Sequence, residues 1–348
     1  MTTDATPVSL RVRLALAALA FVACGLFAAI HEQVKPADFY VFWAAARHAS
    51  APYDPAIVSA LKATYHVKGA WPFAYPPTFL LFVWPFALAP VLIAYPLWTA
   101  FSAGLFAFAA SAMVRPAWAC ALLLIAPPVV LAVSPGQTSL LVGAAMIGGF
   151  SLLEEYPRLA GVLFAVAVCI KPQAMILAPL VLWGRWATLG WILAVAAALA
   201  GASLVFGLGP WLDWPKALLA FHGVIGDTER VNPSALFDQA GWSAAVAVLG
   251  VYLAVRCRDL AGLVAGGLCL TPYAHQYDLA PLAPLAAVWL LDFRKRGLSH
   301  AAAGAALLAG FVSTPLAGLA FAGGLAAIRS PWLERIRSKP PPAVSYEA

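Results

Sequence analysis

Residues 78–114 read TFLLFVWPFALAPVLIAYPLWTAFSAGLFAFAASAMV, 37 positions without one charged side chain. A helix needs about 20 apolar residues to cross the hydrocarbon core of a bilayer. The stretch is therefore too long for one crossing and tight for two, and Pro85, Pro90 and Pro96 break its helical pattern. One piece of it is expected to enter the membrane only partway.

Outward from this stretch, apolar runs recur at 14–30, 117–133, 138–153, 159–183, 187–206, 242–255, 260–270, 279–291, 301–312 and 316–328. Of the 348 residues, 63% are apolar and 10% charged, against roughly a quarter charged in a soluble domain. Hydrocarbon offers no partner to backbone N–H and C=O groups, so such runs must be helices that bond internally. The expectation is an all-α, polytopic membrane protein of about 12 transmembrane helices, with the count open by one between 78 and 133. A net charge of +6 would suggest nucleic acid for a soluble chain, but here the basic residues sit at the edges of apolar runs. No nucleic-acid partner is expected, and membrane lipids are. The five cysteines form no CxxC and have no His at metal-ligand spacing, so they point to no chemistry, and no cofactor is expected.

Arg11 and Arg13 place the N-terminus in the cytoplasm, and the run at 14–30 reads as a retained first helix rather than a cleaved leader. Arg185, Arg256, Arg258 and Arg294-Lys295-Arg296 also fall inside when each later run crosses once. That topology leaves two long outer loops, about 31–77 and 207–240, on a single membrane domain spanning 1–328. Within the first loop, 37–48 is rich in helix formers and aromatics and reads as a helix lying on the outer surface. The tail, 329–348, is basic and Pro-rich and reads as a disordered cytoplasmic segment drawn to anionic lipid.

An ionisable group at membrane depth costs roughly 2.5–3.5 kcal/mol, so each one needs a partner, a cavity or a function. The residues that stand out are Asp38 beyond the first run, Lys171 at the break in 159–183, and His275 with Tyr277 and Asp278 in Thr271-Pro-Tyr-Ala-His-Gln-Tyr-Asp278. Ser134-Pro-Gly-Gln137 is an uncharged polar break in apolar surroundings. The topology puts Asp38 and the His275 segment at the outer face, and Lys171 joins them if the Lys171-Pro172 break is a turn at that face. A carboxylate beside two potential cations suits transfer of a sugar from a lipid phosphate, which needs a base for the acceptor hydroxyl and positive charge on the departing phosphate.

Five stretches in order resemble a known pattern: Pro36-Ala-Asp38-Phe-Tyr40 with Ala44-Ala-Ala-Arg47 and Ala51-Pro-Tyr53-Asp54; Phe73-Ala-Tyr75-Pro-Pro77; Pro135-Gly-Gln137-Thr-Ser-Leu-Leu; Ala160-Gly-Val; and Ile170-Lys171-Pro-Gln173. The chain resembles glycosyltransferase family 87 from about Leu14 to Leu291. The resemblance implies a GT-C fold and a polyprenyl-phosphate sugar donor, with mannose as the leading sugar and a lipid or glycan acceptor. It also implies a multi-pass protein of the bacterial inner membrane, with Asp38 as the catalytic base. Many GT-C relatives carry Asp-x-Asp, whereas Asp38 is followed by Phe39 and Tyr40. A single carboxylate argues against an obligatory divalent cation.

Each candidate also has a plainer account. Asp38 suits the first turn of a helix; Asp278 either caps the start of the next one, the simpler account, or pairs with His275 or Lys171 and sets their charge. Lys171 reads equally as a snorkelling lysine, and His275 as an interfacial histidine. Gln137 and Gln173 offer amides to sugar hydroxyls or to backbone freed by prolines. Tyr75 stacks on a sugar or joins the aromatic belt, the belt being the simpler account; Tyr277 poses the same choice. Arg230 and Asn232, in Glu229-Arg-Val-Asn-Pro233, either close over the acceptor or are solvated loop residues. The rival function is a transporter or flippase, which predicts ionisable groups spread through mid-membrane helices rather than gathered at one face.

Overall fold

The computed structural model describes residues 8–31, 36–67, 71–115, 117–225, 243–271, 275–292, 300 and 304. Among the described residues every regular element is helical. In chain order these are α1 (Leu10–His31), α2 (Ala37–Arg47), α3 (Pro55–Tyr65), α4 (Pro77–Ala87), α5 (Val91–Ala110), α6 (Ala117–Leu122), α7 (Pro127–Val133), α8 (Ser139–Leu152), α9 (Pro157–Ile170), α10 (Ala178–Val181), α11 (Trp186–Ser203), α12 (Gly209–Ile225), α13 (Ser243–Cys257), α14 (Leu260–Leu270) and α15 (Ala283–Leu291). Short 3-10 turns cover Leu123–Ile125, Pro172–Met175, Leu204–Phe206 and Gln276–Leu282. Among the described residues three helices, Leu10–His31, Val91–Ala110 and Trp186–Phe206, are long and apolar enough to cross a membrane. Ser139–Leu152 and Pro157–Ile170 have 14 residues each, or about 21 Å at 1.5 Å per residue.

α1 buries a narrow seam, Leu16, Ala20, Cys24 and Ala28, at a spacing of four, and exposes Leu14, Leu19, Val22, Leu26 and Ile30. The seam packs on α5, where a Cβ on Gly104 would come 3.3 Å from the Ala17 carbonyl and one on Gly25 would come 3.1 Å from Ala100 Cβ. Small residues let the two backbones approach, which is what drives helix contact when lipid is as apolar as leucine. The outward leucines and valines are the face for lipid.

Four expectations need correction. Residues Ala37–Arg47 do form a helix, but α2 is enclosed by protein: every residue from Phe39 to Ala46 is buried, so it does not lie on the surface. Its aromatics pack all round it, Phe42 against Tyr75 and Phe79, Tyr40 and Trp43 against Tyr65. Of the three prolines in 78–114, Pro90 alone separates helices; Pro85 and Pro96 lie inside α4 and α5. A proline removes one backbone bond, and neighbouring helices make that tolerable within a bundle. The apolar run at 117–133 is not one segment but α6 and α7, divided at Ala126 before the helix-starting Pro127. Finally, much of the second outer loop is α12, for Gly209-Pro210 opens a helix rather than ending one. Trp211 and Trp214 belong to it and turn inward: their indole N–H groups donate to Ser203 Oγ at 3.0 Å and to the Ala74 carbonyl at 3.1 Å.

The two ends of the bundle differ. At one end Arg13 donates to the Phe108 carbonyl at 3.1 Å, the Arg185 guanidinium meets Glu154 at 2.7 Å, and Arg258 donates to the Trp183 carbonyl. At the other end of α9 stands Lys171.

Candidate functional site

The site is organised by the turn between α7 and α8. The Gln137 N–H donates to the Ala132 carbonyl (2.9 Å) and the Gly136 N–H to the Val133 carbonyl (3.1 Å). Those paired bonds close a helix end around a left-handed residue, and Gly136 has φ +73°. A side chain there would also collide with α2, since a Cβ would stand 2.7 Å from Phe39 Cβ. Three further contacts hold the turn: Tyr95 donates to the Ser134 carbonyl (2.7 Å), Trp98 to the Gly136 carbonyl (2.9 Å), and the Phe39 N–H to the Pro135 carbonyl (3.0 Å). His31, ending α1, meets Ser134 Oγ at 2.7 Å.

This turn presses Gln137 onto Asp38. The amide Nε2 donates to Asp38 Oδ2 at 2.7 Å, while Oε1 accepts from the Tyr75 hydroxyl at 3.1 Å and from the Thr138 N–H at 3.3 Å. Two donors on the oxygen end leave one orientation of the amide, the one that presents its N–H to the carboxylate. Tyr75 also meets Thr138 Oγ1 at 3.2 Å. Burial pushes the Tyr75 phenol far up; the Thr138 hydrogen bond works against this, and the nearby Asp38 and Asp278 carboxylates add to it. Tyr75 is thus not a belt residue: it stacks among Phe42, Phe73 and Phe79 with its hydroxyl turned into the polar network.

Two residues further on, Ser139 opens α8 and donates to Asp278 Oδ1 at 3.0 Å. The same carboxylate pairs with Lys171, and its Oδ2 accepts the His275 N–H at 3.0 Å. The pair is nearly out of water, with side-chain exposures of 8% for Lys171 and 14% for Asp278. The Lys171 ammonium lies 5.3 Å from the Tyr277 ring centre, and Tyr277 stacks on His275 at 5.0 Å. Lys171, Asp278, Ser139 and Gln173 line a cavity of about 40 Å³ with Met146, Gly267 and Thr271 around it. Asp278 therefore both closes the start of the 3-10 turn Gln276–Leu282 and holds Lys171, and Lys171 is paired rather than snorkelling.

The consecutive residues Gln137, Thr138 and Ser139 thus join two clusters, Asp38 with Tyr75 on one side and Lys171, His275, Tyr277 and Asp278 on the other. Arg230 and Asn232 lie outside the described residues. Among the described residues no group of three or more His, Cys, Asp or Glu is placed to hold a metal ion. Thr138, Ser139 and His31 are network members the sequence reading did not single out. The two hydroxyls had a signal in their place directly after Gln137; His31 had none, its partner Ser134 being 103 positions away.

Residues 73–317 match the profile of glycosyltransferase family 87. The chain belongs to that family. No curated protein and no solved structure matches it. The family 87 match takes in Tyr75, Gln137, Lys171, Gln173, His275, Tyr277 and Asp278, and begins after Asp38. Membership makes the protein a membrane glycosyltransferase, acting on a sugar donor and an acceptor.

Proposed function

We propose that this family 87 protein is a GT-C enzyme of about 12 membrane crossings that moves a hexose, mannose first among them, from a polyprenyl-phosphate donor to an acceptor hydroxyl. Transfer takes place at the outer face of a bacterial inner membrane, with both termini cytoplasmic. The carrying observation is the Gln137 amide locked onto the Asp38 carboxylate, with Ser139 two residues on bonding Asp278, the partner of the buried Lys171. Asp38 takes the acceptor proton as the hydroxyl oxygen attacks the anomeric carbon. The bond from that carbon to the phosphate oxygen breaks, and the phosphate leaves with the electron pair on the opposite side, so the centre inverts. Lys171 and His275 supply charge and a donor to the departing phosphate, with Asp278 keeping the ammonium at the cavity wall until the phosphate shares it. Gln173, Tyr277 and the hydroxyl end of Tyr75 face the sugars, and Arg230 and Asn232 close over the acceptor. The inner placement of Arg13, Arg185 and Arg258 is supported by their position at the bundle end away from Lys171.

The test is transfer of radiolabelled mannose from polyprenyl-phosphate mannose in purified membranes, wild type against Asp38→Asn. Loss of labelled product with unchanged expression and melting is the expected result. Normal transfer by Asp38→Asn removes Asp38 as the base.

A further inference from the structure

A second, larger hollow lies beside the catalytic network. It measures about 490 Å³ and is walled by α2, α3, the stretch 71–73 and α12, within the range of pockets that hold small organic ligands, about 300–1,000 Å³. Its lining is mostly apolar, with Tyr53, Trp71 and Phe73 beside aliphatic side chains and prolines, and Asp54, Ser59 and Lys62 are its polar groups. Trp71 is a large aromatic left 41% exposed.

The hollow is tied to the catalytic network at two points. Val41 lines it, and Val41 stands three residues after Asp38 on α2, which puts the two on one helix face. Tyr53, on its wall, donates to the Tyr75 carbonyl at 2.8 Å, and Tyr75 in turn holds Gln137. On the far wall, Asp54, Val58 and Lys62 repeat at a spacing of four along α3 and share a face. Their spread, eight residues, is about 12 Å of helix, the length of two sugar rings.

We infer that this hollow is the acceptor subsite and that it takes the terminal two pyranose rings of a neutral glycan. Chemistry favours that occupant over a lipid tail or a phosphate. An aliphatic chain would strip water from a carboxylate and an ammonium at once and return no hydrogen bonds. A phosphate would meet a single ammonium, Lys62, in a hollow whose other charged group, Asp54, repels it. An uncharged sugar offers hydroxyls to both, and an apolar ring face to Trp71. Its role as acceptor rests on the transferase reading above; its sugar chemistry does not.

The experiment uses the full chain in lipid nanodiscs, with methyl mannobioside, methyl maltoside and farnesyl phosphate as probes. Binding is followed by saturation-transfer NMR for wild type, Trp71→Ala and Lys62→Gln, and acceptor and donor KM are measured in the transfer assay. Both substituted side chains are on the surface, so folding is kept. The expected result is binding of a disaccharide weakened about tenfold by Trp71→Ala and less by Lys62→Gln, with acceptor KM raised in step and donor KM unchanged. Wild type binding neither disaccharide, equal binding by all three proteins, or displacement of the disaccharide by farnesyl phosphate overturns the inference. If wild type transfers no sugar while Trp71→Ala still loses disaccharide binding, the transferase reading falls and the sugar subsite stands.

Discussion

Gln137 is the residue on which the proposed catalytic geometry turns, because its amide has a single orientation that satisfies Tyr75, Thr138 and Asp38 together. Gln137→Ala removes the donor and lets the carboxylate wander; transfer per folded molecule is expected to fall about 100-fold, the usual consequence of a misplaced reacting group, with stability lowered by about 1–3 kcal/mol because Tyr75 and Asp38 lose a partner. Tyr75→Phe removes one hydroxyl and should cost about 1 kcal/mol of stability. The raised phenol has a sign that can be checked. Its folded value lies above its unfolded one, so its contribution is intact below about pH 10 and is lost as pH rises past that point. Wild type is therefore expected to lose stability above about pH 10 more steeply than Tyr75→Phe, in melts across pH 8–11. The buried pair behaves differently from a surface one. Asp278→Asn leaves the Lys171 ammonium buried without its counter-charge and is expected to cost about 3–5 kcal/mol. The double variant Lys171→Met with Asp278→Leu should recover most of that stability in a denaturation series and recover no transfer.

At the scale of elements, the α7–α8 turn is where backbone shape and chemistry meet. Gly136→Ala puts a methyl group at φ +73° and 2.7 Å from Phe39 Cβ. It is expected to destabilise by about 1–3 kcal/mol and, by pushing α2 from the turn, to reduce transfer more than the loss of folded protein explains. Specific activity per folded molecule separates the two effects. α3 belongs to the polar side: Asp54 caps it by accepting the Ala56 N–H at 2.8 Å, and its exposed face carries Ser59 and Lys62. α12 falls in a stretch that reads as a polar loop; of its two prolines, one lies in the first turn and the other is accommodated within the helix.

For the whole molecule, the polarity of the bundle makes a direct prediction. Glu154 sits at the Arg185 end, its carboxyl held below the ordinary range by the hydrogen bond and charge of that arginine, and Ser59 lies on α3 near the catalytic end. In intact cells a membrane-impermeant maleimide should label Ser59→Cys at once and Glu154→Cys only after permeabilisation. Four of the five native cysteines are buried and Cys257 is half-buried, so wild type supplies a low background. Labelling of both variants from outside would contradict the topology. The sequence by itself settled the solvent of the protein, its helical class and its family, because hydrocarbon dictates composition and internal hydrogen bonding position by position along the chain. It also marked Asp38, Gln137, Lys171 and Asp278, since polar groups stand out against apolar surroundings. Tertiary structure alone decided which of them meet: Asp38 finds Gln137 across 99 positions and Lys171 finds Asp278 across 107. It also decided that α2 is enclosed rather than lying on the surface. A sequence pattern reports one chain's polarity along itself, whereas burial and pairing depend on which distant segment packs alongside.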